Sequence, residues 1–126
     1  MKQCVVTDKA PAAVGPYSQA VWAGDFLYCS GQIPLDPATG ALVGSTAREQ
    51  AIQVLENVEE VLVSQGLSMG HVVKATVFAT DMKYFPEVNE VYAAKFTVDP
   101  PARSFVQVAG LPKGALVEIE VVAWRG

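Results

Sequence analysis

Polar and apolar positions alternate along residues 100–120, and this pattern predicts two β-strands joined by a Pro/Gly loop. Side chains two residues apart project from the same side of a strand. In the first strand, one face therefore carries Arg103 with Phe105, and in the second, one face carries Glu118 with Glu120. We expect the two strands to pair as a hairpin that has an apolar face and a face with one arginine and two carboxylates.

Shorter stretches of strand-forming residues predict three strands in the first third of the chain, at Cys4–Thr7, Gln19–Ala23 and Phe26–Ser30. A Gly-Asp pair between the last two favours a hairpin there. A fourth strand, with clear alternation, is predicted at Val72–Thr80. Prolines and glycines mark much of the intervening sequence as loop.

Helical spacing appears twice along the chain. Thr46 and Glu49 match a capping box, in which the threonine hydroxyl and the glutamate carboxylate satisfy free backbone N–H groups. Gly66 fits the C-terminal cap of the same helix. The apolar stripe of this helix comprises Ala51, Val54, Leu55, Val58, Val61 and Leu62. Pro86 suits the first turn of a second helix. Its stripe comprises Val88, Val91, Tyr92 and Phe96.

These elements follow one another as β-β-β-α-β-α-β-β, which predicts one α+β domain over residues 1–126. Each helix has a single apolar stripe, so both are expected to cover the same face of one sheet. The other face would stay open. Its expected charged residues are Lys74, Arg103, Glu118 and Glu120. An uncovered, half-apolar sheet face predicts self-association, as does a hydrophobic content of 51%.

Composition and motif content exclude several classes of function. A net charge of −4 without a Lys/Arg cluster argues against nucleic acid as a partner, because such binding rests on neutralising phosphates. No long apolar run follows the N-terminus, so we expect no membrane partner and a cytoplasmic protein. Cys4 and Cys29 lie in predicted strands and are expected to be buried, inert thiols. His71 stands alone in a connector, and no metal-ligand spacing or phosphate-binding glycine motif is present, so neither a metal nor a cofactor is expected.

Arg103 and the two glutamates remain as candidates for chemistry. An arginine can bind a carboxylate through two parallel hydrogen bonds, and a partly buried glutamate can hold or activate a water. A salt bridge between subunits would use the same side chains, and the residue types alone leave both interpretations open. In a tight hairpin Gln107 would face Glu118, which puts Arg103 roughly 13 Å away along the strand. A joint site would then need a neighbouring subunit or a different strand order.

Three segments together resemble a known family. They are Gly15-Pro16-Tyr17-Ser18-Gln19-Ala20, Ser30-Gly31-Gln32-Ile33-Pro34, and Pro101-Ala102-Arg103-Ser104 followed by Val117-Glu118-Ile119-Glu120. In this order, they resemble the reactive intermediate deaminase family (RidA, also called YjgF). The resemblance implies a chorismate-mutase-like fold, assembled as a homotrimer with the sheets in an inner β-barrel and ligand sites between subunits.

The resemblance also implies an activity that needs no cofactor. Members related to RidA hydrolyse enamine and imine intermediates such as 2-aminoacrylate and 2-iminobutanoate, and the products are 2-keto acids and ammonia. Pyridoxal-phosphate dehydratases release these intermediates, which implies a functional link to such an enzyme. On this basis, the chain is expected to be a 2-iminobutanoate/2-iminopropanoate deaminase that binds a small 2-imino or 2-keto acid.

Residue roles follow from the same motifs. The resemblance implies that Arg103 binds the substrate carboxylate and that Glu118 positions the water, with Glu120 structural. The substrate-binding residues that it implies are Tyr17, Ser30, Gly31, Asn89 and Phe105. Many members have a cysteine at the position of Phe105, and the change makes the pocket more apolar. The alternative functions are a non-catalytic trimer that binds a keto acid or amino acid, and translation inhibition or ribonuclease action, against which the acidic charge argues.

Overall fold

The computed structural model describes all 126 residues, which form a six-stranded sheet and two α-helices. The strands are β1 Gln3–Val5, β2 Ala20–Ala23, β3 Phe26–Gln32, β4 Val72–Ala79, β5 Ala102–Gln107 and β6 Val117–Trp124. The helices are α1 Ala47–Ser64 and α2 Phe85–Lys95. The predicted order of strands and helices is therefore confirmed.

The predicted hairpin between the last two strands is wrong, because β4 lies between them. The order in the sheet is β1-β2-β3-β6-β4-β5, and only β4 and β5 are parallel neighbours. After α2 the chain returns alongside β4 as β5, and residues 108–116 then pass the end of β4. Backbone hydrogen bonds join both ends of that loop to the C-terminal end of β4. The Val108 N–H donates to the Ala79 carbonyl at 2.9 Å, and the Thr80 N–H donates to the Leu116 carbonyl at 3.1 Å.

Both helices pack on the same face of the sheet, as predicted. Their apolar stripes and the inward-facing strand residues share one core, whose fully buried members include Leu27, Leu55, Val77, Val88 and Ile119. The capping box is also present, since Thr46 Oγ1 accepts a hydrogen bond from the Glu49 N–H and the Glu49 carboxylate accepts one from the Thr46 N–H, both at 3.2 Å. These bonds set the start of α1 at the residue that the sequence predicts.

Arg103 lies on the helix-covered face, not on the open face predicted from the sequence. In the β4–β5 pair, Arg103 is opposite Ala75 and Phe105 is opposite Val77, and both β4 residues are fully buried in the core. The prediction assumed that β5 pairs directly with β6. Alternation fixes which residues share a face within one strand, but strand pairing decides which faces of two strands coincide.

The open face of the sheet carries charged residues together with exposed apolar side chains. As predicted, Lys74, Glu118 and Glu120 project from this face. Large apolar residues on the same face are also exposed: Phe26 by 40%, Tyr28 by 51%, Val106 by 40% and Trp124 by 48%. A surface of this kind is typical of a contact with another protein surface.

The two cysteines have different environments. Cys29 is buried, and burial raises the pKa of its thiol to about 12, which makes it an inert core residue. Cys4 is exposed, contrary to the prediction, because it lies opposite Val21 on the face that the helices leave open. His71 has a local structural contact, since its Nδ1 accepts a hydrogen bond from the Ser68 N–H at 3.1 Å.

Candidate functional site

Arg103 projects from β5 toward α2 and is partly buried. Its Nη1 donates a hydrogen bond to Asn89 Oδ1 at 2.7 Å. No carboxylate lies within 4.0 Å of its guanidinium. The ion pairs of the chain are Arg48–Glu90, Lys83–Asp81, Lys95–Glu59 and Arg125–Asp25. A partly buried guanidinium without a counter-charge is suited to binding an anion.

Three aromatic rings surround this guanidinium. Its carbon lies 4.8 Å from the ring centre of Tyr92, 5.5 Å from that of Phe105 and 5.7 Å from that of Phe85. Phe105 is a predicted site residue, whereas Phe85 and Tyr92 are not. Both lie about one helical turn from Asn89 on α2, and this spacing is the sequence pattern that could have identified them. We call Arg103 and its four neighbours the arginine cluster; the neighbours are Phe85, Asn89, Tyr92 and Phe105.

Glu118 projects from β6 on the open face and lines a cavity of about 420 Å³, which we call the glutamate cavity. The predicted site residues Tyr17, Ser30 and Gly31 line it as well. Gly31 lies directly against Glu118, because a methyl group at this position would overlap the carboxylate. The predicted site residues therefore form two groups, one in the glutamate cavity and one in the arginine cluster.

The environment of Glu118 raises the pKa of its carboxyl group above the ordinary value of 4.5. Burial is the larger cause, and the negative charge of Glu120 on the same face of β6 is the second. A carboxylate with a raised pKa is a better proton acceptor near neutral pH. Glu120 also lines the glutamate cavity, although the sequence predicted only a structural role for it.

Gln19 supports the loop that carries Tyr17, and the sequence did not predict this role. Its buried side-chain amide exchanges two hydrogen bonds with the backbone of Thr7, at 2.7 and 2.9 Å, and donates to two further carbonyls of the same loop. Ser30 adds a second connection, since its Oγ donates to the Ser18 carbonyl at 2.6 Å. Gln19 belongs to the segment Gly15–Ala20 that carries the family resemblance, but alternation along β2 gives no sign that its side chain is buried in the preceding loop.

The arginine cluster and the glutamate cavity lie on opposite faces of the sheet. Arg103 is opposite Ala75 on the helix-covered face, and Glu118 is opposite Phe78 on the open face. Arg103 does not line the glutamate cavity. One chain therefore presents two half-sites and does not bring Arg103 and Glu118 together.

We also searched the structure for a metal-binding group and for a helix that could cross a membrane. No group of three or more His, Cys, Asp or Glu side chains is placed to hold a metal ion. Neither helix combines the length and the apolar character that crossing a membrane would require.

Residues 7–125 match the family described as endoribonuclease L-PSP. The chain belongs to this family, which is the YjgF/RidA family. A member from Mus musculus, named 2-iminobutanoate/2-iminopropanoate deaminase, is 47% identical over 126 residues, which are 100% of this chain and 93% of that protein.

Solved structures of family members are similar along almost the whole chain. RidA from the Antarctic bacterium Psychrobacter is 48% identical with a TM-score of 0.93, and the match covers 97% of this chain and 98% of that one. TdcF from E. coli with bound serine is 44% identical with a TM-score of 0.94, and the match covers 98% of this chain and 99% of that one. The family resemblance and the chorismate-mutase-like α+β fold expected from the sequence are therefore confirmed.

Proposed function

We propose that this protein hydrolyses small imino acids, such as 2-iminobutanoate and 2-iminopropanoate, to 2-keto acids and ammonia. The observation that carries the proposal is the guanidinium of Arg103, which is partly buried, has an amide partner and has no counter-charge. These substrates carry one carboxylate, which a guanidinium binds through two parallel hydrogen bonds. The identity to a named deaminase supports the reaction, and the serine bound to the E. coli family member supports a small carboxylate ligand.

The proposed reaction divides the chemistry between the two half-sites. Arg103 holds the substrate carboxylate and thereby orients the adjacent imine carbon toward Glu118. Glu118 accepts a proton from a water molecule whose oxygen attacks that carbon. The proton that Glu118 has accepted passes to the nitrogen, which gives a tetrahedral intermediate with a hydroxyl and an amino group. Glu118 then transfers the hydroxyl proton to the amino group, the C–N bond breaks, and ammonia leaves as the keto group forms. One water is consumed for each substrate, and an imine carbon is electrophilic enough for positioning to supply much of the acceleration.

We infer that the complete site forms between two copies of the chain, with Arg103 from one and Glu118 from the next. Their positions on opposite faces of the sheet support this arrangement. The exposed Tyr28 and Trp124 on the open face give such copies an apolar surface to bury. A homotrimer whose open sheet faces turn inward as a barrel is the closed assembly that we propose.

The remaining site residues would complete the pocket. Asn89 orients Arg103, and Phe105 forms an apolar wall beside it. Tyr17, Ser30 and Gly31 would enclose the water molecule beside Glu118 in the glutamate cavity. A pyridoxal-phosphate dehydratase, which releases enamines and imines, is the class of enzyme that we expect to supply the substrate.

A second candidate function is a non-catalytic trimer that binds a keto acid or an amino acid. The serine bound to the E. coli family member favours this candidate. The arginine cluster would bind the ligand carboxylate in the same way, so turnover is what separates the two functions. Calorimetric binding of 2-ketobutyrate without any acceleration of imine hydrolysis would identify the binding protein.

Imine hydrolysis coupled to threonine dehydratase tests the proposal. We expect Arg103→Ala to lower the acceleration roughly a hundredfold, since charge-assisted hydrogen bonds to the carboxylate are lost. Glu118→Gln should lose turnover while it retains binding of 2-ketobutyrate. Light scattering checks that the assembly of each variant is unchanged. Equal rates for the wild type and Arg103→Ala, with an intact assembly, would refute the mechanism.

A further inference from the structure

We propose that Tyr92 is a positioning residue that holds Arg103 through the face of its aromatic ring and leaves the guanidinium free to bind the substrate carboxylate. The inference rests on the proposed role of Arg103 in binding that carboxylate. Tyr92 lies on α2, its residue is only 6% exposed, and its ring is the nearest of the three to the guanidinium carbon. The sequence pattern places it in the apolar stripe of its helix and assigns it no role in the site.

The helix places two different contacts on Arg103. Asn89 and Tyr92 are three residues apart on α2, so their side chains project from neighbouring positions on one face of the helix. Asn89 accepts a hydrogen bond from Nη1 at 2.7 Å, and the ring centre of Tyr92 lies 4.8 Å from the guanidinium carbon. The position of the guanidinium is therefore set from α2 without any charged partner.

The two contacts leave most of the hydrogen-bonding capacity of Arg103 unused. The face of an aromatic ring attracts a cation electrostatically. A carboxylate in the same place would occupy two N–H groups in parallel hydrogen bonds. A guanidinium has five N–H donors, and Asn89 accepts from only one nitrogen. The ring of Tyr92 therefore compensates part of the cost of burying the charge and leaves a pair of donors for a ligand.

The hydroxyl of Tyr92 does not contribute to this contact. The hydroxyl oxygen is buried and has no hydrogen-bond partner. Burial raises the pKa of the phenol, and the charge of Arg103 lowers it only in part, so the ring remains neutral near pH 7. Because the ring and not the hydroxyl contacts the guanidinium, a phenylalanine at this position should preserve the effect.

Two substitutions at this position test the proposal, with 2-ketobutyrate as the probe in calorimetry and 2-iminobutanoate in the coupled assay. Tyr92→Leu removes the ring, and we expect the Kd for 2-ketobutyrate and the KM for the imine to rise about tenfold, with a smaller change in kcat. Tyr92→Phe keeps the ring and should restore both values to within about twofold of those of the wild type. Light scattering verifies that the assembly is the same in each variant.

Phe96→Leu is the matched control for lost packing. Phe96 is 8% exposed and its ring centre is 4.5 Å from that of Tyr92, but it is not among the rings around Arg103. This variant should lose thermal stability without a rise in Kd. If Tyr92→Leu does not fold, Tyr92→trifluorophenylalanine keeps the shape of the ring and weakens the attraction of its face for a cation, and its Kd should rise.

The outcomes separate this inference from the proposed function. A normal Kd in Tyr92→Leu or in the fluorinated variant, together with a raised Kd in Arg103→Lys, would overturn the role of Tyr92 and leave that of Arg103 intact. A normal Kd in Arg103→Lys and Arg103→Ala would remove the proposed function and this inference with it. A rise of equal size in Phe96→Leu and Tyr92→Leu would show a general packing effect and would also overturn the inference.

Discussion

Arg103 and Glu118 lie on opposite faces of one sheet, on strands β5 and β6, which β4 separates. Arg103 sits under α2 with an amide and three rings around it, and Glu118 lines a cavity on the open face. The two residues have complementary roles in the proposed hydrolysis. In the proposed assembly, each chain would contribute Arg103 to one site and Glu118 to another.

Subunit mixing tests whether the site forms between copies. Arg103→Ala and Glu118→Gln chains should each be inactive alone. When the two are unfolded and refolded together, about one site in four should receive both intact residues from neighbouring copies, if the copies mix at random. We therefore expect roughly a quarter of the wild-type activity in the coupled imine assay.

The control for the mixing experiment is each variant carried alone through the same refolding. A site contained in one chain would have no intact member in any mixture, so the mixture would stay inactive. Light scattering of the refolded mixture shows whether the copies have reassembled. Reassembly without any recovered activity contradicts the shared site.

A substitution at Gly31 tests whether the position of the Glu118 carboxylate matters for the reaction, because Gly31 leaves room for that carboxylate. The methyl group of Gly31→Ala would overlap that carboxylate, which must then turn away from its position in the cavity. We expect imine hydrolysis to fall about tenfold or more while the protein stays folded, since a flexible side chain can move. Steady-state rates and thermal unfolding measure the two effects.

Gly110→Ala is the matched control for this substitution. A methyl group at Gly110 would meet no atom within 4 Å, and its backbone does not adopt the left-handed conformation. It should therefore keep its activity. If Gly31→Ala is as active as Gly110→Ala, the position of the Glu118 carboxylate does not matter for the reaction.

Sequence patterns were reliable where a local rule decides the structure. The capping box at Thr46 and Glu49 marks the start of α1, and the alternation in β6 places Glu118 and Glu120 on one face. The partner of β5 is not a local property. Strands that follow each other in sequence were expected to pair, but the crossover through α2 had already placed β5 beside β4, and this single change moved Arg103 to the other face.

The same reasoning explains which site residues the sequence could not identify. The residues expected from the resemblance include Tyr17 and Gly31, which line the glutamate cavity, and Asn89, which contacts Arg103. Tyr92 lies in the apolar stripe of its helix, and nothing in the sequence assigns it a role in the site. Its contact with Arg103 depends on how α2 packs over β5, and spacing within one segment contains no information about that packing.

The pH profile of the reaction should report the environment of Glu118. Burial and then the charge of Glu120 raise the pKa of Glu118, and the mechanism needs its ionised form, so activity should rise with pH through the raised value. Glu120→Gln removes the second cause. The acidic limb of the kcat/KM profile should therefore move to lower pH in this variant. If the limb does not move, Glu118 is not the group that accepts the proton.

The stability of the protein should also depend on pH through the protonation of Glu118. The folded state binds the proton of Glu118 more tightly than the unfolded state does. The contribution of Glu118 to stability is therefore fully present below the ordinary pKa of 4.5, and it is lost as pH rises from there through the raised pKa. Thermal unfolding across this window should show a smaller loss in Glu120→Gln than in the wild type, and Glu118→Gln should remove the loss due to this group.

Asn89 supports Arg103 without neutralising it, and a change of charge at this position tests that distinction. Asn89→Asp puts a carboxylate where Oδ1 now accepts from Nη1 at 2.7 Å, so an internal ion pair would compete with the ligand. We expect the Kd for 2-ketobutyrate to rise by about a hundredfold in Asn89→Asp and by only about tenfold in Asn89→Ala, which leaves the guanidinium unpaired. Added salt should narrow the difference, since it screens a partly exposed ion pair. Equal Kd values for the two variants would mean that the ligand anion does not bind at the guanidinium of Arg103.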